Sequence, residues 1–103
     1  MAQAVIYDLE WDDENEQHLG RHDISPDDVY NLLDHGDWIQ RRNKPNHPAN
    51  RIQILGAVGD GSLLNVVLES TGTAGLWRPV TAWWATRSEA SVFEKQKRNR
   101  HAQ

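Results

Sequence analysis

Apolar and polar positions change rhythm several times along the chain, and each change marks an element. The apolar run from Ala4 to Leu9 fits a short first strand, and the polar stretch from Asp12 to His22 fits a helix whose only large apolar residue is Leu19. Ser25-Pro26-Asp27-Asp28 is a helix start: serine caps, proline takes the first helical position, and two acids sit where the helix dipole favours them. Val29, Leu32 and Leu33 form that helix's core stripe, and Gly36 ends it.

Beyond Gly36 the rhythm shortens toward alternation. Trp38 to Arg42 fits a strand, and KPNHPAN is a loop by its two prolines and two asparagines. RIQILGAV, GDG and SLLNVVLES read as a hairpin turning at Gly-Asp-Gly. STGTAG is a second turn, and WRPVTAWWA a further strand whose Pro79 suits an edge or a bulge. Thr86-Arg87-Ser88-Glu89 is a capping box that opens a last helix ending in Lys95, Lys97 and Arg98. The order predicts an α+β domain: a small antiparallel sheet of four to five strands, with two helices before it and one after. At 103 residues the chain is expected to form a single domain spanning 1–103, with a basic tail from about residue 95 that frays.

Successive strand residues point to opposite faces, so parity separates core from surface. Ile52 and Ile54, then Leu64, Val66 and Leu68, then Val80, Ala82 and Trp84 form the apolar set. If helices cover that set, the other face presents Arg51, Gln53, Asn65, Glu69, Thr81 and Trp83. Arg78 has the parity of Val80 and joins this polar patch only if a bulge at Pro79 shifts it. One reading of the patch is a solvated sheet face. The other is a nucleic-acid surface, where arginine neutralises phosphate, Trp83 stacks a base, and Glu69 moves a proton or orients an arginine. Burial of Trp83 against a loop or a second chain is a further reading.

Charge sharpens this picture. Residues 1–40 hold eleven acids against the single base Arg21, a net of minus 10, and the remainder holds a net of plus 6, giving the formal minus 4. Such a split points to a basic surface that meets phosphate, or an acidic one that meets a basic partner. There is no cysteine, which excludes thiol chemistry and disulfides. The acidic start and the absence of a long apolar run fit a soluble cytoplasmic protein with no membrane association. His18 and His22 lie at helical i, i+4 spacing, which suits a shared metal, a packed helix face or a general acid and base. No third ligand and no cofactor-binding motif accompany them, so neither a metal nor a cofactor is expected.

Four pieces in order, EWDDENEQHLGRHDISPDDVYNLL, RIQILG, LLNVVLE and WRPVTAWWATRSEASVFE, resemble the BrnT family of bacterial type II toxins, within the wider RelE-like group of small ribonucleases. The last piece is the most specific, an RPVTA strand running into an ATRSE helix start. The resemblance implies an α+β ribonuclease fold, cleavage of RNA that halts translation, and neutralisation by an antitoxin resembling a ribbon-helix-helix DNA-binding protein. By position it implies His22, Arg51, Glu69 and Arg78 as catalytic residues, with Arg51, Gln53, Thr81, Trp83 and Arg87 contacting RNA. Relatives carry Arg where this chain has Trp83, Tyr near Phe93, and Gly where Asp23 follows the histidine. Those departures open a second reading: a catalytically degenerate relative, acting as a protein- or RNA-binding module and self-associating or docking a partner through the Trp83 face.

Overall fold

The computed structural model of the protein describes residues 4–41 and 50–101, with side chains of the last helix described through Lys97. The expected KPNHPAN loop lies almost wholly outside the described residues, as do Arg42, Lys44 and residues 102–103. Element order is β1 (Asp8–Leu9), α1 (Asp13–Gly20), α2 (Pro26–His35), β2 (Trp38–Arg41), β3 (Arg51–Ala57), β4 (Leu63–Ser70), β5 (Leu76–Trp84) and α3 (Arg87–His101). The five strands form one sheet in the order β1-β5-β4-β3-β2. Four of them pair antiparallel as expected, whereas β1 joins β5 in parallel, so the sheet is mixed. The reason is connectivity: α1, α2 and three strands separate β1 from β5, long enough for a crossover that a hairpin would not permit.

Caps fix the helix ends. Asp12 caps α1 and Ser25 caps α2, each in a reciprocal capping box with the residue three positions on. Gly36 closes α2 in the left-handed region at φ 73°. The expected first helix stops at Gly20, two residues before His22, and the chain reverses through Asp23 at φ 62°. That left-handed conformation is one that glycine adopts without strain and aspartate tolerates.

Helices α1 and α2 pack their Leu19, Val29 and Leu32 on the face bearing Ile54, Leu64, Val66, Leu68 and Ala82, and this is the main core. Helix α3 lies on the opposite face, where Phe93 is buried against Ile39 and Leu55. The polar patch expected there is therefore partly roofed. Leu55 shares parity with Gln53 and Arg51, and its apolar side chain needs that roof. Trp84, expected in the apolar set, is instead the partly exposed end of β5.

A bulge corrects the register of β5. Val67 faces Thr81 and Leu68 faces Pro79, so Val80 is the extra residue opposite no partner. Pro79 thereby turns into the core and Arg78 onto the polar face, opposite Glu69.

Candidate active site

The register produces a transverse row of charge at one end of the sheet. Arg51 on β3 stands opposite Glu69 on β4, and Glu69 stands opposite Arg78 on β5. Arg51 Nε donates to Glu69 Oε2 at 2.9 Å, with both side chains about one-third exposed. Arg78 reaches out of the sheet instead: Nη1 donates to Asp12 Oδ2, and Nη2 lies 3.3 Å from Asp12 Oδ1. The Asn15 backbone N–H and the Arg78 guanidinium hold the Asp12 carboxyl below its usual range, and Asp12 in turn raises Arg78.

Helix α1 closes the row into a cleft of about 300 Å³ lined by Glu14, Asn15, His18, Arg51, Glu69, Arg78 and Val80. Asn15 is the pin that sets α1 there. It is buried, and its side-chain amide donates to the Glu10 and Pro79 carbonyls at 3.0 and 3.1 Å, which ties the helix to the β5 bulge. Glu14 and His18 lie four residues apart, so both present to the cleft from one face of α1.

Of the residues singled out in the sequence, the cleft gathers Arg51, Glu69 and Arg78 and leaves out His22. His22 is exposed beyond the end of α1, its ring 6.0 Å from that of His18. His18 is the histidine that lines the cleft. The signal for this was Gly20, a helix stop that removes His22 from the helical i, i+4 geometry.

The remaining candidates lie on the same face toward α3. Gln53 and Thr81 occupy the next row, each opposite Val67, and Gln53 Nε2 donates to Asn65 Oδ1 at 2.9 Å. Asn65 is fully buried and its Nδ2 has no hydrogen-bond partner. Trp83 is one row further on, opposite Asn65, and its indole N–H points to the Glu89 carboxylate at 3.3 Å. Glu89 also accepts from Arg41 Nη1 at 3.2 Å and from the Thr86 backbone N–H at 3.0 Å. Arg87 is exposed in the first turn of α3. Along β4, Asn65 and Glu69 are four residues apart, about 13 Å, so Trp83 and the charged row form two regions of one surface.

Ion pairing modifies the simple charge split. The cations Arg78 and Lys97 of the basic half bind Asp12 and Asp37 of the acidic half. Arg41 and Arg51 meet Glu89 and Glu69. Among the described residues no group of three or more His, Cys, Asp and Glu side chains is arranged to hold a metal ion. No helix among them is long and apolar enough to cross a membrane.

A mixed five-stranded sheet with two helices on one face and a third on the other defines a small α+β fold. It is similar to the 1.1 Å crystal structure of the Brucella abortus ribonuclease toxin BrnT, with a TM-score of 0.58 and 14% identity over 78% of this chain and 97% of that one. No protein-family profile and no curated protein matches the sequence. The fold that the motif resemblance implied is thus the fold observed.

Proposed function

We propose that the protein is an endoribonuclease toxin that inhibits translation by cleaving RNA in the cleft between α1 and the sheet. The observation that carries the reading is the Arg51-Glu69-Arg78 row beside His18, four groups whose chemistry suits a phosphodiester. Glu69, held by Arg51, takes the proton from a ribose 2′-hydroxyl. The 2′ oxygen attacks phosphorus, the bond from phosphorus to the 5′ oxygen breaks, and a 2′,3′-cyclic phosphate forms. His18 gives a proton to the departing 5′ oxygen, while the two guanidinium groups neutralise charge that grows on the phosphate oxygens. Thr81, Gln53, Trp83 and Arg87 continue the surface along which a strand of RNA would run. The acidic α1 and α2 suit a basic partner, consistent with a cognate antitoxin of the ribbon-helix-helix kind. Incubating purified protein with RNA and ribosomes, beside Glu69→Gln and Arg78→Ala, tests this; intact RNA with the wild type, and normal growth on induction, would sink it.

One observation favours a second reading, a noncatalytic binding module. Arg51 and Arg78 each already hold a carboxylate, and the family's Arg and Tyr positions are Trp83, bonded to Glu89, and Phe93, buried in the core. That reading expects intact RNA together with a stable homo-oligomer or a complex with a partner protein, which light scattering on the purified protein distinguishes.

A further inference from the structure

Asp12 serves two purposes with two oxygens. Oδ1 accepts the Asn15 backbone N–H at 2.9 Å and so caps α1. Oδ2 takes Nη1 of the Arg78 guanidinium, and Oδ1 also lies 3.3 Å from Nη2. The cap does not need the arginine, because Asn15 returns a bond from the Asp12 backbone N–H at 2.9 Å and is itself pinned to Glu10 and Pro79. The Asp12 side chain is 50% exposed and that of Arg78 22%. The carboxylate of the pair is half in water, which leaves it open to a competing anion. The fork of N–H donors that grips a carboxylate with two oxygens is the same fork that grips a phosphate, so the two anions compete for Arg78.

We infer that Asp12 is a positioning residue that latches the cleft: it holds Arg78 in the free protein, yields it to a backbone phosphate of RNA, and so sets RNA affinity below what the bare cation would give. The latch rests on the RNA-cleaving reading above, and Asp12 acts through Arg78 rather than on the reacting atoms. Asparagine is as good a cap as aspartate. Asp12→Asn therefore keeps the helix and releases the arginine, and Asp12→Ser, which also caps, does the same.

The test uses a short single-stranded RNA, 2′-O-methylated throughout so that it resists cleavage, titrated against wild type, Asp12→Asn, Asp12→Ser, Arg78→Ala and the Asp12→Asn/Arg78→Ala double variant over a range of salt. Both Asp12 variants are expected to bind about twofold to fivefold more tightly than wild type at low salt, with the gain shrinking as salt screens the Asp12–Arg78 attraction. In the double variant the gain disappears. Unchanged affinity in Asp12→Asn, with binding lost in Arg78→Ala, overturns the latch and leaves the RNA reading standing. If no variant binds RNA, the RNA reading fails, and the latch is judged by the rate at which phenylglyoxal modifies Arg78, read by mass spectrometry. Faster modification in Asp12→Asn supports the latch, and an equal rate rejects it.

Discussion

Arg51 and Glu69 face each other across the β3–β4 ladder with Nε 2.9 Å from Oε2, and Arg78 completes their row from β5 only because Val80 is bulged. A partly exposed cross-strand pair of this kind contributes little to stability, about 0.2–1 kcal/mol. Under the proposed RNA-cleaving function, its position on the cleft gives Glu69 a role in chemistry. Glu69→Gln is expected to lower RNA cleavage by about 10²- to 10⁴-fold, the usual worth of a positioned base. Its thermal midpoint should stay near that of the wild type. A matching loss of stability and activity would instead mark Glu69 as a structural residue.

The same assay should separate His18 from His22. His18 lines the cleft from the face of α1 that also carries Glu14, whereas His22 is exposed past the helix end. His18→Ala should reduce cleavage by about 10²-fold or more, and His22→Ala should leave it as in the wild type. The reverse order would return the acid role to His22.

Parity arguments found Arg51, Glu69 and, with the bulge at Pro79, Arg78, because alternation along a strand survives in any sheet. They missed the side on which α3 packs. That helix buries Phe93 on an otherwise polar surface, so its own periodicity is faint. The better signal was on the strands: Leu55 and Ile39 are large apolar residues with polar-face parity, and they need a cover. The Asp12–Arg78 pair spans 66 residues and depends on how α1 docks on the β5 bulge, which no local spacing encodes. The resemblance implies His22 by position, whereas it is His18 that α1 places on the cleft, because the helix stops at Gly20 and glycine commonly ends one.

Gly56 is a place where the packing admits no side chain. It stands opposite Trp38 in the β2–β3 ladder, and a Cβ added there would lie 2.6 Å from the Trp38 Cβ and 3.0 Å from its Cα. Neither atom can rotate away. Alanine ordinarily favours a strand over glycine by about 0.5–1 kcal/mol, but overpacking costs about 1–3 kcal/mol and prevails. Gly56→Ala should lower the urea midpoint with an unchanged m-value, and an unchanged or higher midpoint would mean that β2 shifts freely.

Glu89 ties three elements through one carboxylate, binding the Thr86 N–H of its capping box, the Trp83 indole and Arg41. Burial pushes this carboxyl up, yet the Thr86 backbone bond, the Trp83 and Thr86 side chains and Arg41 outweigh it, and the net shift is below the ordinary value of 4.5. A carboxyl depressed on folding favours the folded state above its unfolded value, and that contribution is lost as pH falls through the folded value. At pH 7 the wild type should exceed Glu89→Gln in unfolding free energy by about 1.5–3 kcal/mol, the scale of hydrogen bonds to a charged group. Between pH 4.5 and lower values the difference should close. Asp12 and Asp60 are depressed too, so both proteins lose stability in acid; the diagnostic quantity is the gap between them. Urea titrations at pH 7, 5, 4 and about 3 measure it, and a gap that persists undiminished at the lowest pH would show that the charge on Glu89 plays no part in holding α3 to the sheet.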